Sequence, residues 1–358
     1  MARAKGYQGI VGLKKATTWG TPVVPASTDG IEVESLEVNG GAELIPDNQI
    51  TGVLTTKPSS LGNHKVDVTL KTALRYEGLE PLVALVLGAT AGAGSTVDTS
   101  AKKHVIKPKN DRDGIFATLA YEYLKDTKVA EIPGLKFTNL KISGKQGERI
   151  MLEATGIGDT WTDASASNTT TTIDSITLPS AREYATFSQV AFKLNDQSAG
   201  SLASAPIYIQ GFNLEIDFPT DQNVTTERGN KTSEPLPSGF ATGKLTLDFA
   251  VAQDGTGGNV VFLADQIAGT AKKAKIEITS PTLAGAATQY FQWLIWLPYV
   301  QFSPVAKPGP SQPGAISWSQ EANLHHASAA PWGFSTGYLE MVVIDIFSTR
   351  AADALATT

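Results

Sequence analysis

Two stretches of the chain carry the same alternation of apolar and polar positions, then the same change of period. From Lys65 to Gly88, Val66, Val68, Leu70 and Leu74 fall on one side, and Lys65, Asp67, Thr69 and Lys71 on the other. From Lys244 to Gly269, Leu245, Leu247, Phe249 and Val251 oppose Lys244, Thr246 and Asp248. Period-two alternation predicts a strand with one buried face. After a glycine-marked break, Leu79, Leu82, Val83 and Val86 stand at helical spacing, and Val260, Leu263, Ala264 and Ile267 repeat it. Each set predicts one apolar stripe of a short helix. Pro81 suits the first turn of one helix, Asn259 is placed to cap the other, and Gly88 and Gly269 close them.

The echo continues upstream. Leu36-Glu37-Val38-Asn39 matches Leu214-Glu215-Ile216-Asp217, and Pro46-Asp47-Asn48-Gln49 is answered by Pro219-Thr220-Asp221-Gln222. The shared order is strand, Pro-led polar loop, strand, short helix. Two copies of this length predict a duplicated domain rather than a solenoid.

Further strands are expected at Ile31 to Asn39, near His104 to Lys107, and at Phe116 to Leu124, Lys136 to Ser143 and Arg149 to Thr155. The last two flank a tight turn at residues 144–147. Phe187 to Leu194 and Ile207 to Phe218 read as a hairpin, with Phe212, Leu214, Ile216 and Phe218 inward. Lys275 to Thr279, Ala315 to Glu321 and Tyr338 to Phe347 follow. The aromatic run Tyr290 to Val300 reads as a strand buried on both faces, being too short to span a bilayer. Long polar loops are expected at Glu43 to Asn63 and Asp221 to Gly243; loops of that length tend to be functional. The resulting organisation is an N-terminal arm (1–30), a first module (31–160), a linker (161–180), a second module (181–349) and a flexible tail (350–358). The fold class is mainly β with short helices, as two sandwich- or barrel-forming modules.

Composition sharpens this reading. At 358 residues the chain has room for two ordinary domains. Charged residues make up only 18%, which favours strands and turns over long helices. Cysteine is absent, so the fold rests on burial alone, as suits an intracellular protein. Residues 1–180 hold 19 basic and 20 acidic residues, and residues 181–358 hold 10 and 15. Neither half is charged like a nucleic-acid-binding domain.

Candidate chemistry is sparse. Adjacent His325 and His326 on a strand point to opposite faces and do not converge on one metal. Residues 110–114 mimic a calcium loop, but Lys109 and Ala120 stand where carboxylates are required. No nucleophile elbow or dinucleotide fingerprint is present. The carboxylate pairs Glu32/Glu34 and Glu215/Asp217 read as solvated strand faces. No catalytic, cofactor or metal residue is assigned, and an enzyme is not expected. The six tryptophans suit core packing, with sugar stacking as the alternative.

The opening GLKKATTWGTPVVP has its own signature. Lys15, Thr17, Trp19, Gly20, Thr21, Val23 and Pro25 fit a K-x-T-x-W/Y-G-T-x-V-x-P pattern, and the chain thereby resembles the two-module tail tube proteins of long non-contractile tailed bacteriophages. The long loop before the strand-helix core and the hairpin GFNLEIDF before the second loop extend the likeness over almost the whole chain. The resemblance implies a structural virion protein of the tail, made in the host cytoplasm, that self-assembles as stacked rings around a DNA channel. Its expected partners are further copies of itself and the tail tip, tape measure and tail terminator proteins, with no membrane and no cofactor. DNA is expected to pass through without specific binding. Duplication leads us to expect trimeric rings with pseudo-sixfold symmetry, hexameric rings being the alternative. Ring-stacking contacts are expected from Ile50, Val53, Leu54, Leu236 and Phe240. Asn213, Glu215 and Asp217 are expected on the lumen face. The competing reading is a two-domain β-sandwich adhesin or carbohydrate-binding module.

Overall fold

The alternating stretches fold as strands, and their pairing fixes where every later feature lies. The computed structural model describes residues 9–47, 57–178, 183–203, 205–221, 232–251, 261–285, 288–304 and 317–357. The first half runs β1 (Val11–Lys15), β2 (Gly30–Ile31), β3 (Ser35–Asp47), β4 (Lys57–Ala73), α1 (Glu80–Leu87), β5 (Gly88–Thr90), β6 (Ser95–Thr96), β7 (Lys102–Pro108), β8 (Ala117–Leu124), β9 (Lys128–Lys145) and β10 (Met151–Gly158). After α2 (Thr170–Asp174) come β11 (Val190–Asp196), β12 (Gly211–Asp217), β13 (Thr220–Asp221), β14 (Leu236–Pro237), β15 (Thr242–Phe249), α3 (Val261–Ala268), β16 (Lys272–Leu283), β17 (Tyr290–Phe302), β18 (Trp318–Leu324) and β19 (Val343–Ser348). The protein is mainly β, with three short α-helices among the described residues.

One antiparallel run takes the order β3-β4-β10-β9-β12-β15-β18-β17 and crosses both repeat copies. Directly paired positions share a face, so Leu36, Leu70, Ala154, Leu140, Ile216 and Gly243 form one row across it. That row faces the core, where Leu70, Ala154, Leu140 and Ile216 are fully buried. Burying each such aliphatic side chain stabilises by about 1.5–3 kcal/mol. A one-residue slip would turn the whole row to water, which fixes the register.

A second layer closes over this face. β2, β1 and β8 pair in sequence onto residues Lys128–Leu135 of β9, while Asn139–Lys145 of the same strand pair with β12. β9 thus belongs to both layers, and a register shift opposite Thr155/Gly156 lies between its two halves. In the second half, β11, β16, β17 and β19 pair in order, and β19 then pairs with β7 of the first half. Every residue of α1 is buried, against β9, β7, β1 and β5. Pro81 sits in its first turn, and Gly88 ends it in the left-handed region (φ 98°), its N–H donating to the Ala84 carbonyl.

Three expectations change. The described parts of the loop expected at Glu43 to Asn63 are strand, since pairing of β3 with β4 continues through Leu44↔Leu61, Ile45↔Ser60 and Asp47↔Lys57. Pro46 and Pro58 lie where each strand has one neighbour at most, and edge positions tolerate proline. The hairpin expected from 187–194 and 207–218 is reduced to one antiparallel bridge, Phe192↔Ile207: β11 pairs with β16, and β12 lies between β9 and β15. The aromatic strand β17 is buried on one face, through Phe291, Trp293, Ile295 and Leu297, and only half covered on the other.

The opening and closing segments are tied down. Trp19 meets Phe116 edge-on at 5.3 Å. A Cβ on Gly134 would lie 2.9 Å from the Gly20 nitrogen and 3.0 Å from the Trp19 ring, so only glycine fits beneath the arm. Val23 N–H donates to Thr118 Oγ1 at 3.0 Å. Within 161–180, Thr169 caps α2, and Ile173 and Ile176 bury against Ala120 and Val129. At the C-terminus, expected as a flexible tail, Gly94 N–H donates to the Ala351 carbonyl at 3.1 Å and Thr90 to Asp353 at 2.7 Å.

Candidate functional site

Strand alternation leaves the second face of the eight-strand run polar. Across its middle, paired positions read Ser35, Lys71, Glu153, Lys141, Glu215, Lys244, Asn323. Charge therefore alternates along the row, five charged residues in turn, and continues unbroken from one repeat copy into the other. Opposite charges directly across a strand pair are favourable. Lys71 and Glu153 are in contact at 3.0 Å, and the hydrogen bond and charge of Glu153 raise the Lys71 pKa. Asn213, Glu215 and Asp217 all lie on this face, in the central strand β12, and are half-buried. Asn139 Nδ2 reaches Glu215 at 3.3 Å and Asp217 at 3.4 Å. The face holds both signs of charge and has no basic patch.

β3 and β12 run parallel, so both hairpins project from the same end of the sheet. The first carries exposed Leu44, Ile45 and Leu61, with Leu44 and Leu61 paired across the strands. Sequence reading missed these three, although their place beside a proline-marked end strand was the available signal. The second carries Leu236, in the β13–β14 pair, and Phe240, which is 95% exposed. Ile50, Val53 and Leu54 lie outside the described residues. Residues 232–235 cross back to the first half. Thr232 Oγ1 donates to the His64 carbonyl at 2.7 Å, and Trp19 Nε1 donates to the Thr232 carbonyl at 2.8 Å. The buried Lys136 ammonium meets Glu234 at 2.8 Å and the Pro235 carbonyl at 2.9 Å.

The sheet's β3 edge differs from its interior. Leu36 and Val38 on β3 face the core but are only half-buried, while their repeat equivalents on β12, Leu214 and Ile216, are 1% and 0% exposed. The difference has a local cause: β12 is flanked by β9, and β3 has no outer neighbour among the described residues.

Groups with the look of chemistry have structural partners. Glu122, Asp126 and Asp174 approach one another closely enough for a metal, but Lys125 Nζ contacts all three, and its hydrogen bonds to Asp174 and Asp126 raise its pKa. Buried Asp345 accepts from Tyr338 Oη at 2.6 Å and from Trp296 Nε1 at 3.0 Å. Burial and this carboxylate raise the Tyr338 pKa.

A family model described as "Phage tail tube protein" matches residues 6–332. A search of curated proteins gives no match to the chain.

Proposed function

Since the chain belongs to the phage tail tube protein family, we propose that it polymerises as stacked rings forming the tail's DNA channel. The observation that carries this reading is the joint between its two copies. β12 of the second copy lies beside β9, the strand that forms a hairpin with β10, in the order β12-β9-β10-β4-β3. In the second copy β17, β18, β15 and β12 repeat the order of β9, β10, β4 and β3. β16 already pairs with β17 as far as Val300, so the place corresponding to β12 lies beside Gln301 and Phe302 at its end, and on this reading it is filled by β3 of a neighbouring molecule. That joint would cover Leu36 and Val38 and pair an exposed strand edge, which is otherwise an aggregation hazard.

Repeating the joint closes a barrel. Three chains give six modules and roughly two dozen strands, wide enough for an open channel. The modules on this reading are residues 31–160 and 181–349. The alternating-charge face, including Asn213, Glu215 and Asp217, lines the channel, where mixed charge neither traps nor strongly repels phosphate. The two projecting hairpins contact the next ring through Leu44, Leu61, Leu236 and Phe240, together with Ile50, Val53 and Leu54. Growth ends and length are set by the tail tip, terminator and tape measure proteins.

Negative-stain images of the purified chain test this. Long tubes whose end-on averages show three chains per ring are expected. Dispersed globules overturn the reading; rings of six chains with one module of each at the lumen overturn the stoichiometry.

A further inference from the structure

Beside the root of the second hairpin lies a recess of about 370 Å³, with Arg112 and Lys136 among its walls. Both cations are buried. Lys136 has Glu234 as its partner at 2.8 Å. Arg112, 4% exposed, has no carboxylate partner among the described residues. Glu340, also in the wall, is held by Lys107 at 2.9 Å. The Arg112 guanidinium lies 4.0 Å from the centre of the Phe218 ring, and Nη2 donates to the Phe137 carbonyl at 2.7 Å. Its Nε is buried and donates to nothing.

A buried cation with no carboxylate in contact is costly, and an unused buried donor adds to that cost. Burial pulls the Arg112 pKa down to about 10, against the opposing charge of Glu234. The wall also carries apolar Pro219, Pro237, Phe240 and Met341. A partner seated there would exclude water and strengthen any ion pair beneath it.

We propose that the recess is a carboxylate-binding site, filled on assembly by an acidic side chain from a second copy of this chain, with Arg112 as its charge partner. The inference rests on the stacked-ring reading for its choice of occupant. Phe240, at the rim, is part of the end surface assigned to the next ring, and the chain carries 35 acidic against 29 basic residues. An arginine, with its planar fork of donors, is a residue type suited to receive a carboxylate.

Two measurements test it. Unassembled chain labelled with ¹⁵N-arginine is titrated with sodium acetate, with sodium chloride as control. The Arg112 Nε–H resonance, identified by its loss in R112K, should shift saturably with acetate and stay fixed with chloride. R112Q and R112K should grow tubes roughly tenfold more slowly, with melting of the unassembled chain within about 2 °C of wild type. A resonance insensitive to acetate overturns the site. So do variants that grow normally, or variants whose slow growth accompanies a melting temperature lower by about 5 °C or more, since Arg112 then only caps the Phe137 carbonyl. If the wild-type chain forms no tubes, the stacked-ring reading fails by itself, and the acetate titration alone decides whether the recess takes a carboxylate.

Discussion

Lys103 Nζ lies 2.9 Å from Asp345, a carboxylate with no exposed side-chain surface, and the pair joins β7 of one repeat copy to β19 of the other. Tyr338 and Trp296 donate to the same carboxylate. Asp345→Asn removes the counter-charge and turns an amide N–H₂ toward donors. It should destabilise the chain by about 3 kcal/mol, read as a lower urea midpoint with unchanged slope. Lys103→Met combined with Asp345→Asn should recover part of that loss, because no cation is then left unpaired.

The projecting hairpin gives the opposite expectation. Leu44 and Leu61 are 63% and 69% exposed, so replacing both with Ser removes little buried surface. Melting of the unassembled chain should move by no more than about 2 °C. Tube growth, followed by sedimentation, should be lost. Phe240→Ser should act in the same direction.

Much of this was legible in the sequence, and the reasons are local. Alternation at residues 65–71 and 244–249 marked the strands and their buried faces, because period two is a property of each strand by itself; Val251, expected on the same face, lies beyond β15 and is exposed. The repeat was legible too, but not its register. Leu36 pairs with Leu70, and Leu214 with Leu245. Overlaying Leu36 on Leu214 therefore sets Leu245 on Leu70, whereas the strand sequences alone set it on Val66. The four-residue difference is even, so the faces still agreed. The β9–β12 joint was not legible, since nothing near Asn139 or Asp217 encodes a partner so far along the chain. Arg112 and Lys136 were equally hidden: a charged residue in a turn or strand looks solvated until the opposing loop is in place.

The channel face predicts indifference to DNA. Assembled wild-type tubes should retain no duplex DNA in a gel shift at low ionic strength. Glu215→Lys with Asp217→Lys makes the middle of the face basic, next to Lys141 and Lys244. Those tubes should retain DNA, and added salt should release it, because phosphate binding is driven by counterion release. Retention by the wild type would count against this face as the channel lining.

Acid sensitivity has a nameable contributor. Burial works to raise the Glu277 pKa, but Lys275 and Lys193, the latter at 3.0 Å, outweigh it and hold the carboxyl below the ordinary glutamate range. A depressed folded-state pKa contributes stability that is present above the unfolded value and lost as pH falls through the folded one. Glu277→Gln should therefore lower the urea midpoint at neutral pH. The gap from wild type should close as pH falls below the ordinary glutamate pKa of about 4.3. A gap that stays constant with pH would show that the carboxylate's charge is not what stabilises.

The β9–β12 joint also bears on how fast a ring nucleates. A ring of six separate modules needs a six-body encounter, or a chain of weak intermediates with steep dependence on concentration. In the proposed ring of three chains every second joint is made within one polypeptide, where the effective concentration of one half for the other is on the order of millimolar or higher whatever the cell contains. Ring formation then depends on about the third power of chain concentration instead of the sixth. Early in synthesis, when subunits are scarce, the fused chain reaches closed rings at concentrations where unlinked modules would remain dispersed.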